Sequence, residues 1–148
     1  MKERKEKLFF IGVKALIQDD NGKVLVLLAD VSSHRMNTEP YWDIPGGRIE
    51  TGDSEMETLK KELQEETTIE MEANGELIAT VFSNHEIPLY EGGFAGLLLR
   101  IWRVPYVQGM NIELSSEHTK YEWVTPKDAA DRLRHKYPAE FCTFVSQM

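Results

Sequence analysis

Three glutamates, Glu62, Glu65 and Glu66, have a spacing that places them along one stripe if this segment is helical. Residues three and four apart share a helical face, so their carboxylates would point the same way. Upstream lies the glycine pair Gly46-Gly47, which we interpret as a loop that allows close approach of a ligand to the main chain. Carboxylates beside such a loop are candidates for holding a cation against a phosphate.

A helix from residue 54 to about residue 67 must position this stripe, with Ser54 or Asp53 as its N-cap. Its apolar residues recur at helical spacing: Met56, Leu59 and Leu63. On the same helical wheel the glutamates lie beside this apolar face. We therefore expect Glu62 and Glu66 near the boundary of the core.

Clustered carboxylates repel one another, and partial burial raises the cost of each charge. A bound cation would relieve both effects, and oxygen ligands favour Mg²⁺, Mn²⁺ or Ca²⁺. The absence of a His/Cys cluster argues against zinc, and Mg²⁺ often binds substrate phosphates, which indicates phosphate chemistry. The alternative is a solvated face on which Lys60 and Lys61 form ordinary helical ion pairs.

The rest of the chain mixes strands and helices without a regular βαβ rhythm, which predicts an α+β fold with a mixed or antiparallel sheet between helices. Apolar runs at 8–18 and 23–29 flank Asp20-Asn21-Gly22, a tight-hairpin pattern. Further strands are predicted at 76–82, 94–104 and 121–124. Helices are predicted at 127–135, after Pro126, and after Pro138. Polar segments 30–40 and 84–93 are predicted to be loops.

Length and composition predict a single domain over residues 1–148. The net charge of -8 disfavours binding to long nucleic acid, which needs a basic face. The apolar run near the start is interrupted by Lys14, and no run is long enough to cross a membrane. The single cysteine, Cys142, fits a reducing compartment, so we expect a cytoplasmic protein.

The glycine and glutamate pattern resembles the Nudix hydrolase signature. Six residues match it in register: Gly47, Glu62, Leu63, Glu65, Glu66 and Ile69. The lead-in at residues 42–46, WDIPG, is also similar, and the resemblance covers about residues 9–130. It implies a Nudix-type α/β/α sandwich with a mixed, largely antiparallel sheet. Homodimers are common in similar families.

Three positions depart from the signature: Asp53 replaces the usual Glu, Lys61 the usual Arg and Thr68 the usual Gly. The resemblance implies that Asp53 and Lys61 form an ion pair that orients the helix. It would be weaker because lysine lacks the planar fork of arginine. The loss of glycine at Thr68 predicts a different exit from the helix.

The resemblance also implies roles for the remaining candidates. Glu62, Glu65 and Glu66 would hold Mg²⁺, or Mn²⁺, with the carbonyl of Gly47. Glu117 is our first choice of general base, the alternative being an ordinary loop glutamate. The substrate-binding candidates are Gly46, Gly47 and Arg48, of which Arg48 would contact a phosphate or face solvent.

The histidines at 34, 85 and 118 are interpreted as surface or loop residues. Several aromatic residues could stack on a base, although strand aromatics are more often core: Trp42, Phe82, Tyr90, Phe94 and Trp102.

We therefore expect an Mg²⁺-dependent hydrolase that cleaves a diphosphate linkage in a small nucleotide-like molecule, a nucleoside diphosphate derivative or a nucleoside triphosphate. One alternative is a catalytically weak or inactive nucleotide-binding or regulatory module. An isoprenoid diphosphate isomerase would need a cysteine near the site, whereas Cys142 falls in the predicted terminal helix. Specificity would depend on the loops at 30–40 and 84–93.

Overall fold

A computed structural model describes residues 4–30 and 39–148 of the chain. His34 and most of the loop predicted at 30–40 lie outside these residues. The described strands are β1 (Phe9–Leu16), β2 (Val24–Ala29), β3 (Trp42–Asp43), β4 (Gly46–Arg48), β5 (Glu76–Phe82), β6 (Ile87–Pro88), β7 (Phe94–Arg103) and β8 (His118–Val124). The helices are α1 (Glu55–Thr67), α2 (Pro126–Arg132) and α3 (Ala139–Ser146), with a 3-10 turn at Leu133–His135.

The strands divide between two sheets. The first has the order β4-β1-β7-β5, with β6 paired to β7, and the second has the order β3-β2-β8. Strands β1 and β7 run parallel, and the other described pairs are antiparallel. The α+β prediction with mixed, largely antiparallel pairing is therefore confirmed, although the strands form two sheets and not one.

The predicted hairpin at Asn21-Gly22 is only half right. The turn forms, because Asp19 Oδ1 accepts hydrogen bonds from the amides of Asn21 (2.9 Å) and Lys23 (2.8 Å). The two flanking strands then diverge into different sheets and meet only at an isolated bridge between Gln18 and Val24. The main partner of β1 is β7, far along the chain, which no local pattern can reveal.

Alternation along β1 explains why helices cover both sides of the sheets. Val13, Ala15 and Ile17 pack in one cluster with Leu59 and Leu63 of α1. Leu16 belongs to a second cluster that contains residues of α2 and α3, such as Ala129 and Phe141. Because successive strand residues point to opposite faces, one strand serves both clusters, and the α/β/α arrangement follows.

The helix that carries the glutamates begins as predicted, because Ser54 Oγ accepts a hydrogen bond from the amide of Glu57 at 3.2 Å. Its end corrects the sequence expectation. Thr68 takes the left-handed conformation (φ 62°, ψ 11°) that a glycine would take, so the helix exit is not different.

The C-terminal helices were predicted closely. The helix that starts at Pro126 changes to a 3-10 turn after Arg132, and α3 follows Pro138. Within the described residues, no helix is both long and apolar enough to span a bilayer.

Candidate active site

The three stripe glutamates differ in depth. The side chain of Glu66 is buried, with 3% of the residue exposed, Glu62 is half-buried and Glu65 is exposed. The prediction that Glu62 and Glu66 lie at the core boundary is confirmed. The stripe thus runs from the protein interior to solvent, as a site that receives a soluble ligand requires.

The glycine segment is a strand, not the loop we expected. Gly46 and Gly47 pair with Lys14 and Val13 of β1, so β4 is an edge of the first sheet. At Gly46 (φ 150°) an added Cβ would lie 1.9 Å from the carbonyl oxygen of Val13. At Gly47 it would lie 2.6 Å from Cδ of Glu62. Glycine is therefore required at position 46, where the Cβ would meet the main chain of β1, whereas at position 47 the Cβ would meet the side chain of Glu62 on α1.

Strand β4 also holds the buried carboxylate. The amide of Gly46 donates a hydrogen bond of 3.1 Å to Glu66 Oε1. Arg48, the next candidate, is exposed, and its guanidinium lies 5.0 Å from the centre of the Phe10 ring.

Residues from the start of β8 complete the cluster. Glu66, Glu117 and His118 each offer a ligand atom within 4.8 Å of the others. His118 Nδ1 lies 3.5 Å from Glu66 Oε2, and the histidine side chain is only 8% exposed. The interpretation of His118 as a surface or loop residue is therefore wrong. Its place beside Glu117 in the sequence was the available signal.

The charges of these carboxylates are strongly coupled. Burial raises the pKa of Glu66 to about 8, against an opposing effect of Lys14. Burial, followed by Glu65 and Glu117, also raises the pKa of Glu62. A divalent cation would favour the charged form of both carboxylates. A set rich in carboxylates with one imidazole fits Mg²⁺ or Mn²⁺.

A second buried charge cluster lies behind the site and was missed from the sequence. Asp43 Oδ2 accepts hydrogen bonds from Lys14 Nζ (3.0 Å) and Lys136 Nζ (2.7 Å), and Oδ1 accepts one from the Tyr137 hydroxyl (2.5 Å). Burial alone would raise the pKa of Asp43, but Lys136 and Lys14 hold it well below its usual range. A lysine inside the apolar strand β1 was the available signal for a buried partner.

The expected ion pair of Asp53 with Lys61 is present. Lys61 Nζ lies 3.5 Å from Asp53 Oδ2 and 4.0 Å from Glu50 Oε1. All three side chains are partly or largely exposed, so the pair contributes little to stability.

The aromatic candidates prove to be less buried than strand aromatics usually are. Phe82, Tyr90 and Phe94 are 62%, 93% and 52% exposed. Trp102 donates a hydrogen bond to Glu55, and Arg132 lies over the ring of Trp42 at 4.5 Å.

A group of rings that we did not predict joins Tyr41, just before β3, and His85 to the 3-10 turn. His85 Nε2 lies 2.8 Å from His135 Nδ1, and Tyr41 stacks on His135.

Cys142 is buried in α3, where it was expected.

Comparison with known proteins supports the resemblance. The model of the NUDIX domain matches residues 8–142. The crystal structure of a MutT protein from Methanosarcina mazei Go1 is similar with a TM-score of 0.73 and 29% identity, covering 97% of this chain and 95% of that one. The CTP pyrophosphohydrolase of Escherichia coli (strain K12) is 27% identical over 121 residues, which cover 80% of this chain and 78% of the relative.

The fold is shared more widely. The dihydroneopterin triphosphate pyrophosphohydrolase of E. coli has a TM-score of 0.71 at 19% identity, covering 96% of this chain and 97% of that one. Because the domain match spans nearly the whole chain, the chain belongs to the NUDIX domain family.

Proposed function

We propose that this protein uses Mg²⁺, or Mn²⁺, to hydrolyse a diphosphate linkage in a nucleoside triphosphate or a nucleoside diphosphate derivative. The observation that carries the proposal is the convergence of Glu66 with Glu117 and His118 beside the glycine strand β4. Relatives named for CTP and dihydroneopterin triphosphate hydrolysis support the substrate class.

Each site residue has a role in this proposal. Glu62, Glu65 and Glu66 would hold the cation, together with the main-chain carbonyl of Gly47. The bound cation would supply Lewis-acid stabilisation of the phosphate charge. Gly46, Gly47 and Arg48 would lie along the diphosphate, with Arg48 offering the positive charge that an acidic protein needs at this point.

Glu117 is the proposed general base. It is exposed, yet its carboxylate lies within 4.8 Å of the ligand atoms of Glu66 and His118. A base in this position can accept a proton from water that approaches the phosphorus atom. His118, in contact with Glu66, would orient that carboxylate.

The cellular setting is also a proposal. The net charge of -8 supports small anionic substrates over long nucleic acid, and an unpaired cysteine supports a cytoplasmic location. We further propose one domain over residues 1–148 and a homodimer. Light scattering, which measures the mass of the protein in solution, would test the homodimer.

The function is tested by incubating the purified protein with a panel of nucleoside triphosphates and nucleoside diphosphate derivatives, with Mg²⁺, with Mn²⁺ or with chelator. We expect release of pyrophosphate, phosphate or nucleoside monophosphate only when a metal is added. If the protein binds nucleotides but cleaves none of the substrates in the panel, the proposal is contradicted and a regulatory module is favoured.

A further inference from the structure

Thr68 has an unusual backbone conformation. Among the described residues other than glycine, it is the one with a positive φ, at 62°. The left-handed region is disfavoured for a β-branched residue because its Cβ crowds the neighbouring carbonyl oxygen. A glycine would fit here without strain, so the threonine side chain needs a reason to be present.

The hydroxyl of Thr68 supplies that reason. Its Oγ1 lies 3.1 Å from the carbonyl oxygen of Asn111 and accepts a hydrogen bond of 3.3 Å from the amide of Glu113. Oγ1 is also 2.5 Å from the carbonyl oxygen of Thr67. One side chain at the end of α1 therefore binds the backbone of a segment that includes Glu113, 45 residues away in the sequence.

The same segment continues along the end of α1 toward the site. The amide of Glu113 also donates to the carbonyl of Thr67 (3.0 Å), and the amide of Ser115 donates to the carbonyl of Glu66 (3.1 Å). Two residues later the chain reaches Glu117, whose amide donates to Ser115 Oγ. The end of the catalytic helix is thus the template on which this segment is placed.

Apolar packing alone holds this segment incompletely. Ile112 and Leu114 pack against the core cluster of α1, which fixes their depth. A cavity of about 390 Å³ is lined both by residues 107–111 and by residues 68–70, which leave α1. Beside this cavity, the Thr68 hydroxyl provides directional hydrogen bonds that hold the segment against the end of α1.

We propose that Thr68 is a positioning residue: its hydroxyl sets the path of residues 111–117 and thereby the distance of Glu117 from Glu66. Its effect on turnover rests on the proposed function, whereas its effect on the segment does not.

Three variants test the proposal. Thr68→Gly removes both the strain and the hydroxyl, Thr68→Val removes the hydroxyl and keeps the branched shape, and Thr68→Ser keeps the hydroxyl. We expect Thr68→Gly to lower kcat about tenfold with KM little changed, as loss of a supporting contact does. Its melting temperature should stay equal or rise, because strain is relieved. Thr68→Ser should retain the activity, and Thr68→Val should not.

A purely structural role would make activity follow stability, so a stable but slow Thr68→Gly variant distinguishes the two. Wild-type kcat in Thr68→Gly, or an equal loss in Thr68→Ser, would overturn the proposal. Combining Thr68→Gly with Glu117→Gln should cost less than the sum of the single effects, since both act through one carboxylate.

Amide hydrogen exchange gives a readout that needs no turnover. In Thr68→Gly and Thr68→Val, the amides of Glu113 and Ser115 should exchange faster than in the wild type and in Thr68→Ser. Unchanged exchange would overturn the positioning role even if the enzyme is active. If these two variants exchange faster but the wild-type protein hydrolyses none of the substrates, the positioning role stands and the proposed function is removed.

Discussion

The amide of Gly46 donates a 3.1 Å hydrogen bond to Oε1 of Glu66, so an edge strand holds one oxygen of the most buried stripe carboxylate. The other oxygen, Oε2, faces His118 at 3.5 Å. One side of the carboxylate is therefore fixed by the fold, and the other belongs to the cluster with Glu117.

Replacing Glu66 or Glu65 by glutamine should lower Mg²⁺-dependent kcat by a factor on the order of 10² to 10³, because a cation ligand stabilises the transition state by several kcal/mol. Circular dichroism should show an intact fold in both variants. Glu57→Gln is the matched control, since Glu57 is exposed at the other end of α1 and glutamine can also serve beside the Ser54 cap. Equal turnover in all three would indicate a merely solvated face.

The free energy of unfolding of the metal-free protein should depend on the protonation of Glu66. Burial raises its pKa from 4.5 to about 8, so the folded state binds the proton more tightly than the unfolded state. This contribution is complete below the unfolded pKa and is lost as pH rises toward the folded pKa. Urea unfolding in chelator across this range should show a decline that Glu66→Gln reduces. A wild type and variant with parallel pH profiles would refute the coupling.

Alanine should impair folding when it replaces Gly46 and should impair turnover when it replaces Gly47. In Gly46→Ala the new Cβ meets main-chain atoms of Val13 and Lys14, which cannot move aside, so we expect little folded protein. In Gly47→Ala the new Cβ meets the carboxyl end of Glu62, which can rotate. That variant should fold, with a loss of turnover exceeding its loss of stability. Thermal unfolding and initial rates, measured on both, decide the point.

The Asp43 cluster should be a major source of stability. Asp43→Asn leaves Lys14 and Lys136 buried without their carboxylate, which should cost about 3–5 kcal/mol of the free energy of unfolding. Tyr137→Phe removes one hydrogen bond to the same carboxylate and should cost about 1–3 kcal/mol.

Tyr121→Phe is the control for the tyrosine variant, because Tyr121 is exposed on β8. Urea unfolding at neutral pH should rank the variants Asp43→Asn, Tyr137→Phe and Tyr121→Phe from least to most stable. If Asp43→Asn unfolds like the wild type, the cluster carries no stability.

Elements whose signals are local were predictable from the sequence. The Ser54 cap and the spacing of Leu59 and Leu63 define α1 within one residue of its observed start. Pro126 marks α2 in the same way. The glutamate stripe could be placed because helical periodicity fixes which residues share a face.

What could not be predicted depends on long-range contacts. The parallel pairing of β1 with β7, and the assignment of β1 and β2 to different sheets, have no local signature. The same holds for the approach of Tyr137 to Asp43. The left-handed Thr68 was mispredicted because its hydrogen bonds to the 111–113 segment, which is remote in the sequence, leave no local signal.

A crystal structure with Mn²⁺ and a non-hydrolysable nucleotide analogue, in which the ion is located by its anomalous signal, would test the cation site itself. We predict an ion bound to Glu66 and at least one further stripe glutamate, in contact with the phosphate chain. An anomalous map with no ion at the glutamate stripe of α1, while the nucleotide is bound elsewhere, would show that these glutamates do not hold a cation against a phosphate chain.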